Sequence, residues 1–266
     1  MINPADTCLF IPPKLSAFKR KLFVGIGQKI GRVIDGDFNA LGALPDHIVP
    51  IVGCTPELRP LIDAWTGWKR TWIYWDRGYC DRIFATGLPT GDNGGFYRWH
   101  VGSFQMNRVR DVSDDRWKKR KAAACVRPWQ KYAGGHIVIA APTRTYAKFH
   151  GTRDWIADTI DALARVTNRQ LVIRDKEQCK GRPLLKDLEG AHALVTHGSN
   201  AAVESVILGC PVFVDKSSAA ALVGSTDLKQ IEKPSYPDRE AWFRSLAYSQ
   251  FSEQELVDGT LWKLLD

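Results

Sequence analysis

Residues 195–215 read VTHGSNAAVESVILGCPVFVD. An apolar run meets a hinge of His197, Gly198, Ser199 and Asn200, then a small-residue helix pattern, then Gly-Cys-Pro and a second apolar run. Gly198 permits a sharp turn, and Ser199 is a good N-cap. The first helical turn presents free backbone N–H groups and the positive end of a helix dipole, which suits a phosphate or diphosphate. Ala201 and Ala202 leave room for a ligand to approach. Asn200 and Glu204 are four apart and share one helix face near that end. A carboxylate there repels a phosphate but suits a pair of hydroxyls, as a ribose offers. An anion at the cap and a diol one turn in describe a nucleotide diphosphate. The same residues also fit an ordinary strand–turn–helix unit, with Ser199 as cap, alanines for packing and Glu204 in solvent. Gly209 and Pro211 stop the helix and start the next strand.

His197-Gly198-Ser199-Asn200, Glu204 and Gly209-Cys210-Pro211 resemble the donor-nucleotide motif of GT-B glycosyltransferases. The resemblance extends to small phage-encoded members, some of which glycosylate hydroxymethylated DNA pyrimidines. It is carried further by Tyr74-Trp75-Asp76-Arg77-Gly78-Tyr79, by Phe96-Tyr97-Arg98 and by the tail SQFSEQELVDGTLWKLL (249–265). It implies two Rossmann-like domains facing a cleft, 1–133 on the acceptor side and 134–266 on the nucleotide-sugar side. The last helix is expected to pack back on the first domain. The implied co-substrate is a nucleotide sugar, a UDP-sugar first, and the implied acceptor is a hydroxyl of 5-hydroxymethylpyrimidine in double-stranded phage DNA, with the base flipped. Arg174 and Lys176 end the run QLVIRDK, where they would neutralise a leaving diphosphate without a metal. Thr143, Arg144 and Lys148 follow HIVIAAP (136–142) and would add donor contacts. Asp76, ending TWIYWD, is the expected base for the acceptor hydroxyl, with Asp81 as second choice. Arg77, Tyr79, Tyr97, Arg98, Lys118, Lys119, Arg120 and Lys121 are the expected acceptor contacts. A glycan or small-molecule acceptor, a UDP-sugar epimerase and a nucleic-acid-binding protein with a decayed nucleotide site remain as rivals.

Other patterns carry less. Asp35-Gly36-Asp37 reads as a glycine-centred acidic turn, not as a cation site. Gly25, Gly27 and Gly31 have one residue too many for a dinucleotide fingerprint. The six histidines show neither H-E-x-x-H nor Cys/His ligand spacing, so no metal is expected.

The elements that must position these residues alternate along the second half. HIVIAAP (136–142), QLVIRDK (170–176), ALVTHG (193–198) and PVFVD (211–215) read as strands. Residues 152–167 (with Thr152 as N-cap), 184–191 and 199–209 read as helices. Near-continuous apolar strands between helices mean a parallel sheet covered on both faces, an α/β fold. In the first half, TCLFIPPK (7–14), HIVPIVG (47–53) and TWIYWD (71–76) read as strands, and 17–31 and 55–68 as helices. From Arg77 to about Arg127 periodic signals are few, and this stretch reads as a long functional loop leading to a linker near Gly134-Gly135.

Composition fits a soluble protein with no apolar run long enough to span a membrane. MINPADTCLFIPPKL does not read as a signal peptide, and six scattered cysteines read as reduced thiols of a cytosolic, or host-cytosolic, protein. Residues 1–135 hold 21 Lys+Arg and 12 Asp+Glu, a charge of +9; the remainder holds 16 and 17, a charge of −1. Seven of the ten Trp lie in the basic half, as does RWKKRK (116–121), which implies a polyanionic partner there.

Overall fold

The computed structural model describes residues 2–13, 17–27, 30–81, 95–131, 135–175, 178–179 and 182–265, with the backbone alone at 17–19 and 21. The first half runs β1 (Thr7–Ile11), α1 (Ala17–Gly27), β2 (Arg32–Asp35), α2 (Phe38–Gly42), β3 (Val49–Gly53), α3 (Arg59–Gly67), β4 (Ile73–Arg77), β5 (Phe96–Val101) and α4 (Asp115–Lys118). The second runs β6 (Ile137–Ala140), α5 (Arg144–His150), α6 (Trp155–Ala164), β7 (Leu171–Arg174), α7 (Leu184–Leu188), β8 (Ala193–Thr196), α8 (Asn200–Ile207) and β9 (Val212–Val214). The chain closes with α9 (Glu240–Tyr248), β10 (Gln250–Ser252), α10 (Glu253–Val257) and α11 (Thr260–Leu264).

These strands form two sheets, ordered β10-β5-β4-β3-β1-β2 and β7-β6-β8-β9. Strands β1 to β4 pair in parallel, as do β6 to β9. Strands β5 and β10 add on antiparallel. Period-2 alternation splits the first sheet between two cores. Leu9, Ile11, Ile51 and Trp75 face α1, α10 and α11. Cys8, Phe10, Val52 and Tyr74 face α2 and α3. In the second sheet, Val138, Leu194 and Val212 meet α7, α8 and α9, while Ile139, Val195 and Phe213 meet α6. Both sheets are thus covered on both faces, and burial is what made their strands read as continuous apolar runs. The tail strand β10 lies in the first sheet, with Gln250 opposite Arg98.

Several sequence expectations change. FYRWHV, read as loop, is strand β5. Residues 82–94, the rest of the GDNGG segment, lie outside the described residues, as do 133 and 134 of the expected linker. Thr152 does not cap α6, whose N-cap is Asp154. The Asp35-Gly36-Asp37 turn has Gly36 at φ 75°, Asp35 paired with Arg20, and Asp37 capping α2 through Asn39 N and Ala40 N. Gly209 does more than stop α8. Its φ is 81°, and a Cβ there would stand 2.0 Å from the Pro128 carbonyl oxygen. Only glycine lets residues 127–130 cross so closely, where Gln130 N donates to Gly209 O at 2.6 Å. Among the described residues no helix is long and apolar enough to cross a membrane. None of the six cysteines is in a disulfide.

Candidate functional site

In each sheet the strand order reverses once, between β1 and β3 in the first and between β6 and β8 in the second. Open α/β sheets bind ligands outside the carboxyl ends of strands at such reversals. A cleft of about 750 Å³ lies at the first reversal. Its walls include Pro12 and Pro13 after β1, Gly53 and Cys54 after β3, and Asp76 near the end of β4. Arg144, Thr145 and Lys148 of α5, from the second sheet's own reversal, line the same cleft. The volume falls in the range of small-molecule sites.

Asp76 is held from two sides. Its Oδ2 accepts from Arg98 Nη2 at 2.9 Å, and its Oδ1 accepts from Arg77 N at 2.7 Å. Each oxygen keeps a lone pair for a further donor, and the side chain is 33% exposed. Arg98 itself is buried, its guanidinium over the Tyr79 ring at 5.2 Å. Burial works against its charge, but Asp76 and nearby tyrosine oxygens outweigh that and lift its pKa above the ordinary value. Its Nη1 donates to Asn200 Oδ1 at 2.8 Å, and Asn200 Nδ2 donates to Gly78 O at 2.9 Å.

The second reversal is the hinge of residues 197–199. Thr196 Oγ1 donates to Ala140 O at 2.7 Å, tying the ends of β8 and β6. Ser199 caps α8 by accepting from Ala201 N at 3.2 Å. Gly198 is needed for close approach: a Cβ would meet Tyr146 Oη at 2.3 Å and Gln105 Nε2 at 3.0 Å. Gln105 Nε2 donates to Gly198 O at 2.7 Å, while its Oε1 accepts from Ala219 N at 2.9 Å. His197 Nδ1 pairs with the Tyr146 hydroxyl at 3.0 Å, and His150 stacks on Tyr146 with ring centres 4.1 Å apart. Burial lowers the pKa of both histidines, His150 to about 4, so both rings are neutral near pH 7. A second cavity of about 450 Å³ opens beside this hinge, lined by Thr196, His197 and Asp215 together with Asp154, Trp155 and Asp158. Ser217 donates to Asp215 through both its N–H and its hydroxyl, which holds that carboxyl below the usual range although burial opposes it.

No protein-family model and no curated protein matches the chain. Solved structures do. A KpsC beta Kdo 2,7 transferase from Thermosulfurimonas dismutans superposes with a TM-score of 0.51 at 12% identity, over 96% of this chain and 99% of that one. A KpsC beta Kdo 2,4 transferase of the same organism gives 0.48 at 11% identity, over 94% and 93%. The chain therefore shares its mixed α/β fold with a transferase structure over nearly its whole length.

The structure brings Asp76, Thr143, Arg144, Lys148, His197, Gly198, Ser199 and Asn200 to the facing carboxyl edges of the two sheets. Thr143 caps α5, accepting from Tyr146 N. Lys148 makes an exposed ion pair with Glu57 at 3.6 Å, worth well under about 1 kcal/mol and easily exchanged for a ligand.

Other candidates have different work. Asp81 is buried with φ 51° and accepts from Lys121 N at 3.0 Å and Ala122 N at 3.1 Å; it anchors the 3₁₀ turn Lys121–Cys125 and is no base. Burial raises its pKa against those two bonds. Tyr79 is buried, its hydroxyl bonded to His100 Nε2 at 2.8 Å and Met106 N at 2.6 Å, and Tyr97 packs in the core near Trp75. Neither can touch an acceptor. Arg98 is equally closed to one. Arg174 is buried and paired with Asp187, and its Nη2 donates to Arg182 O at 2.7 Å, so it is no phosphate cation. Lys176 lies outside the described residues. Glu204 is 2% exposed and within electrostatic reach of Arg174, so no open ribose contact exists there.

The basic run divides. Arg116 bonds Glu255 Oε1 at 2.5 Å, and buried Arg120 donates to Ala247 O at 3.4 Å and lies 3.6 Å from the Phe96 ring centre. Trp117 stacks on Phe243 of α9 at 4.8 Å, so the run docks on the second sheet's helices. Lys118, Lys119 and Lys121 are exposed, Lys118 beside Asp114 at 2.8 Å. Sequence reasoning missed Gln105, Tyr146, His150 and Asp215. Asp215 ends the apolar run PVFVD at a carboxyl edge, and that position alone was a usable signal.

Proposed function

We propose that this chain is a nucleotide-sugar-dependent glycosyltransferase of GT-B arrangement, with the first sheet on the acceptor side and the second on the donor side. The observation that carries the reading is the cleft at the first sheet's reversal, closed by cations from the second sheet's reversal, with Asp76 in its wall. The acceptor hydroxyl donates to Asp76 and loses its proton there as it attacks the anomeric carbon. The leaving nucleoside phosphate is neutralised by Arg144 and Lys148, without a divalent metal, while the Ser199 cap and the cavity beside His197 hold the rest of the donor. The shared fold with a transferase structure supports this, as does the hinge motif. A thermal-shift panel of nucleotides and nucleotide sugars, UDP-sugars first, tests it. A true donor at a hundred times its Kd stabilises by about 2.7 kcal/mol; a flat response across the panel would contradict the donor assignment.

For the acceptor, the +9 charge of residues 1–135 favours a polyanion, and duplex DNA bearing 5-hydroxymethylpyrimidine is the first to test. With Arg116 and Arg120 committed inside the fold, Lys118, Lys119 and Lys121 are what the run offers a phosphate backbone. Replacing all three by Ser should flatten the log–log salt dependence of DNA binding by up to roughly 3 × 0.9 units and leave nucleotide binding unchanged. Wild-type protein with no DNA affinity at low salt would instead select a glycan or small-molecule acceptor.

A further inference from the structure

The motif residue Asn200 is bonded to Arg98 and to the Gly78 carbonyl. Four groups form one continuous set: the Asp76 carboxylate, the Arg98 guanidinium, the Asn200 amide and the Gly78 carbonyl. Asp76, Gly78 and Arg98 belong to the first sheet and its edge, while Asn200 opens α8 of the second. A guanidinium only donates and a carbonyl only accepts, so the amide has one satisfactory orientation, oxygen to Arg98 and nitrogen to Gly78. Arg98 is 3% exposed, so Nη1 has no ready supply of water. If the α8 turn moves away, a buried charged donor loses its partner, which is costly. The guanidinium must then turn toward solvent, and the carboxylate bonded to it turns as well.

We infer that Arg98 is a positioning residue that makes the pose of Asp76 depend on docking of the α8 turn against the first sheet. Asn200 is the sensor of that docking, not a donor ligand. The inference rests on the reading of Asp76 as the transfer base, since it assigns closure as the condition under which that base is aimed into the cleft. Gln105 supports the same docking, because its amide spans Gly198 O and Ala219 N from the chain just after β5.

Hydrogen exchange with mass spectrometry on the full chain tests the coupling without any substrate. Asn200→Ala should raise exchange of amides at 76–80 about tenfold, although the substitution is in α8, and leave β1 and β6 unchanged. Asn200→Asp keeps an oxygen toward Arg98 but has no proton for the Gly78 carbonyl, so exchange at 76–80 should fall between that of Asn200→Ala and that of wild type. Exchange rising only at 197–204 in Asn200→Ala, or no recovery in Asn200→Asp, would overturn the coupling. With a nucleotide sugar that is turned over, Asn200→Ala should lower kcat about tenfold or more with donor KM within about twofold. A raised KM at unchanged kcat would make Asn200 a donor ligand and overturn the inference. If no nucleotide sugar is turned over, the transferase reading fails, and the exchange arm still decides the coupling.

Discussion

Asp76→Asn is expected to lower glycosyl transfer by about 10²–10⁴-fold, the usual worth of a positioned general base. The amide has a single acceptor oxygen, so it can accept from Arg98 or from Arg77 N but not from both, and it cannot take the acceptor's proton. It also removes the counter-charge of a buried guanidinium, so the variant loses stability, and its rate belongs on folded protein below its own unfolding midpoint. Asp76→Glu separates the two effects. It keeps the charge beside Arg98 and so keeps most of the stability, yet its carboxylate sits one methylene further into the cleft. Donor affinity, read by titration, should stay within about threefold of wild type in both, because Asp76 is assigned to the acceptor. Transfer at wild-type rate by Asp76→Asn would remove Asp76 from the chemistry.

Asp187→Ala is expected to destabilise the protein by about 3 kcal/mol, the lower part of the range for breaking a buried ion pair. Arg174 and Asp187 are 8% and 7% exposed, so removing the carboxylate strands a guanidinium that burial already disfavours, as its lowered pKa reflects. Glu204, within electrostatic reach of Arg174, keeps the loss from being larger. Denaturant unfolding measures it. The same variant distinguishes two roles for Arg174. A structural Arg174 leaves donor affinity unchanged when Asp187 is removed, whereas a phosphate-binding Arg174, freed of its partner, would bind the nucleotide more tightly.

Arg174 and Arg98 show where sequence reading stopped. Both sit at or near the mouth of a strand that the motif places beside a ligand, and both look like cations for a phosphate. What decides otherwise is a partner 13 residues away in one case and partners 22 and 102 away in the other. No local pattern encodes those distances. The second sheet was legible because its strands are buried on both faces and read as unbroken apolar runs. Strand β5 was not, because Arg98 and His100 interrupt its apolar pattern and become acceptable only when Asp76, Asn200 and Tyr79 close on them. Helix α5 escaped notice because Phe149 is its one fully buried residue. The hinge was legible as a strand-to-helix turn, but its glycine serves the approach of Tyr146 and Gln105, and its asparagine serves Arg98. The basic run shows the same limit, since Arg116 and Arg120, four apart, turn inward onto Glu255, Ala247 and Phe96.

The most direct measurement incubates the purified chain with a panel of nucleotide sugars, each with 5-hydroxymethylpyrimidine duplex DNA, a glycan mixture or no acceptor, and follows masses of all species. Expected are one donor that loses its glycosyl group, an acceptor heavier by that unit, an equal amount of released nucleoside phosphate, and a fall of all three by about 10²-fold or more in Asp76→Asn. No donor consumed by folded protein under any of these conditions would contradict the transferase reading.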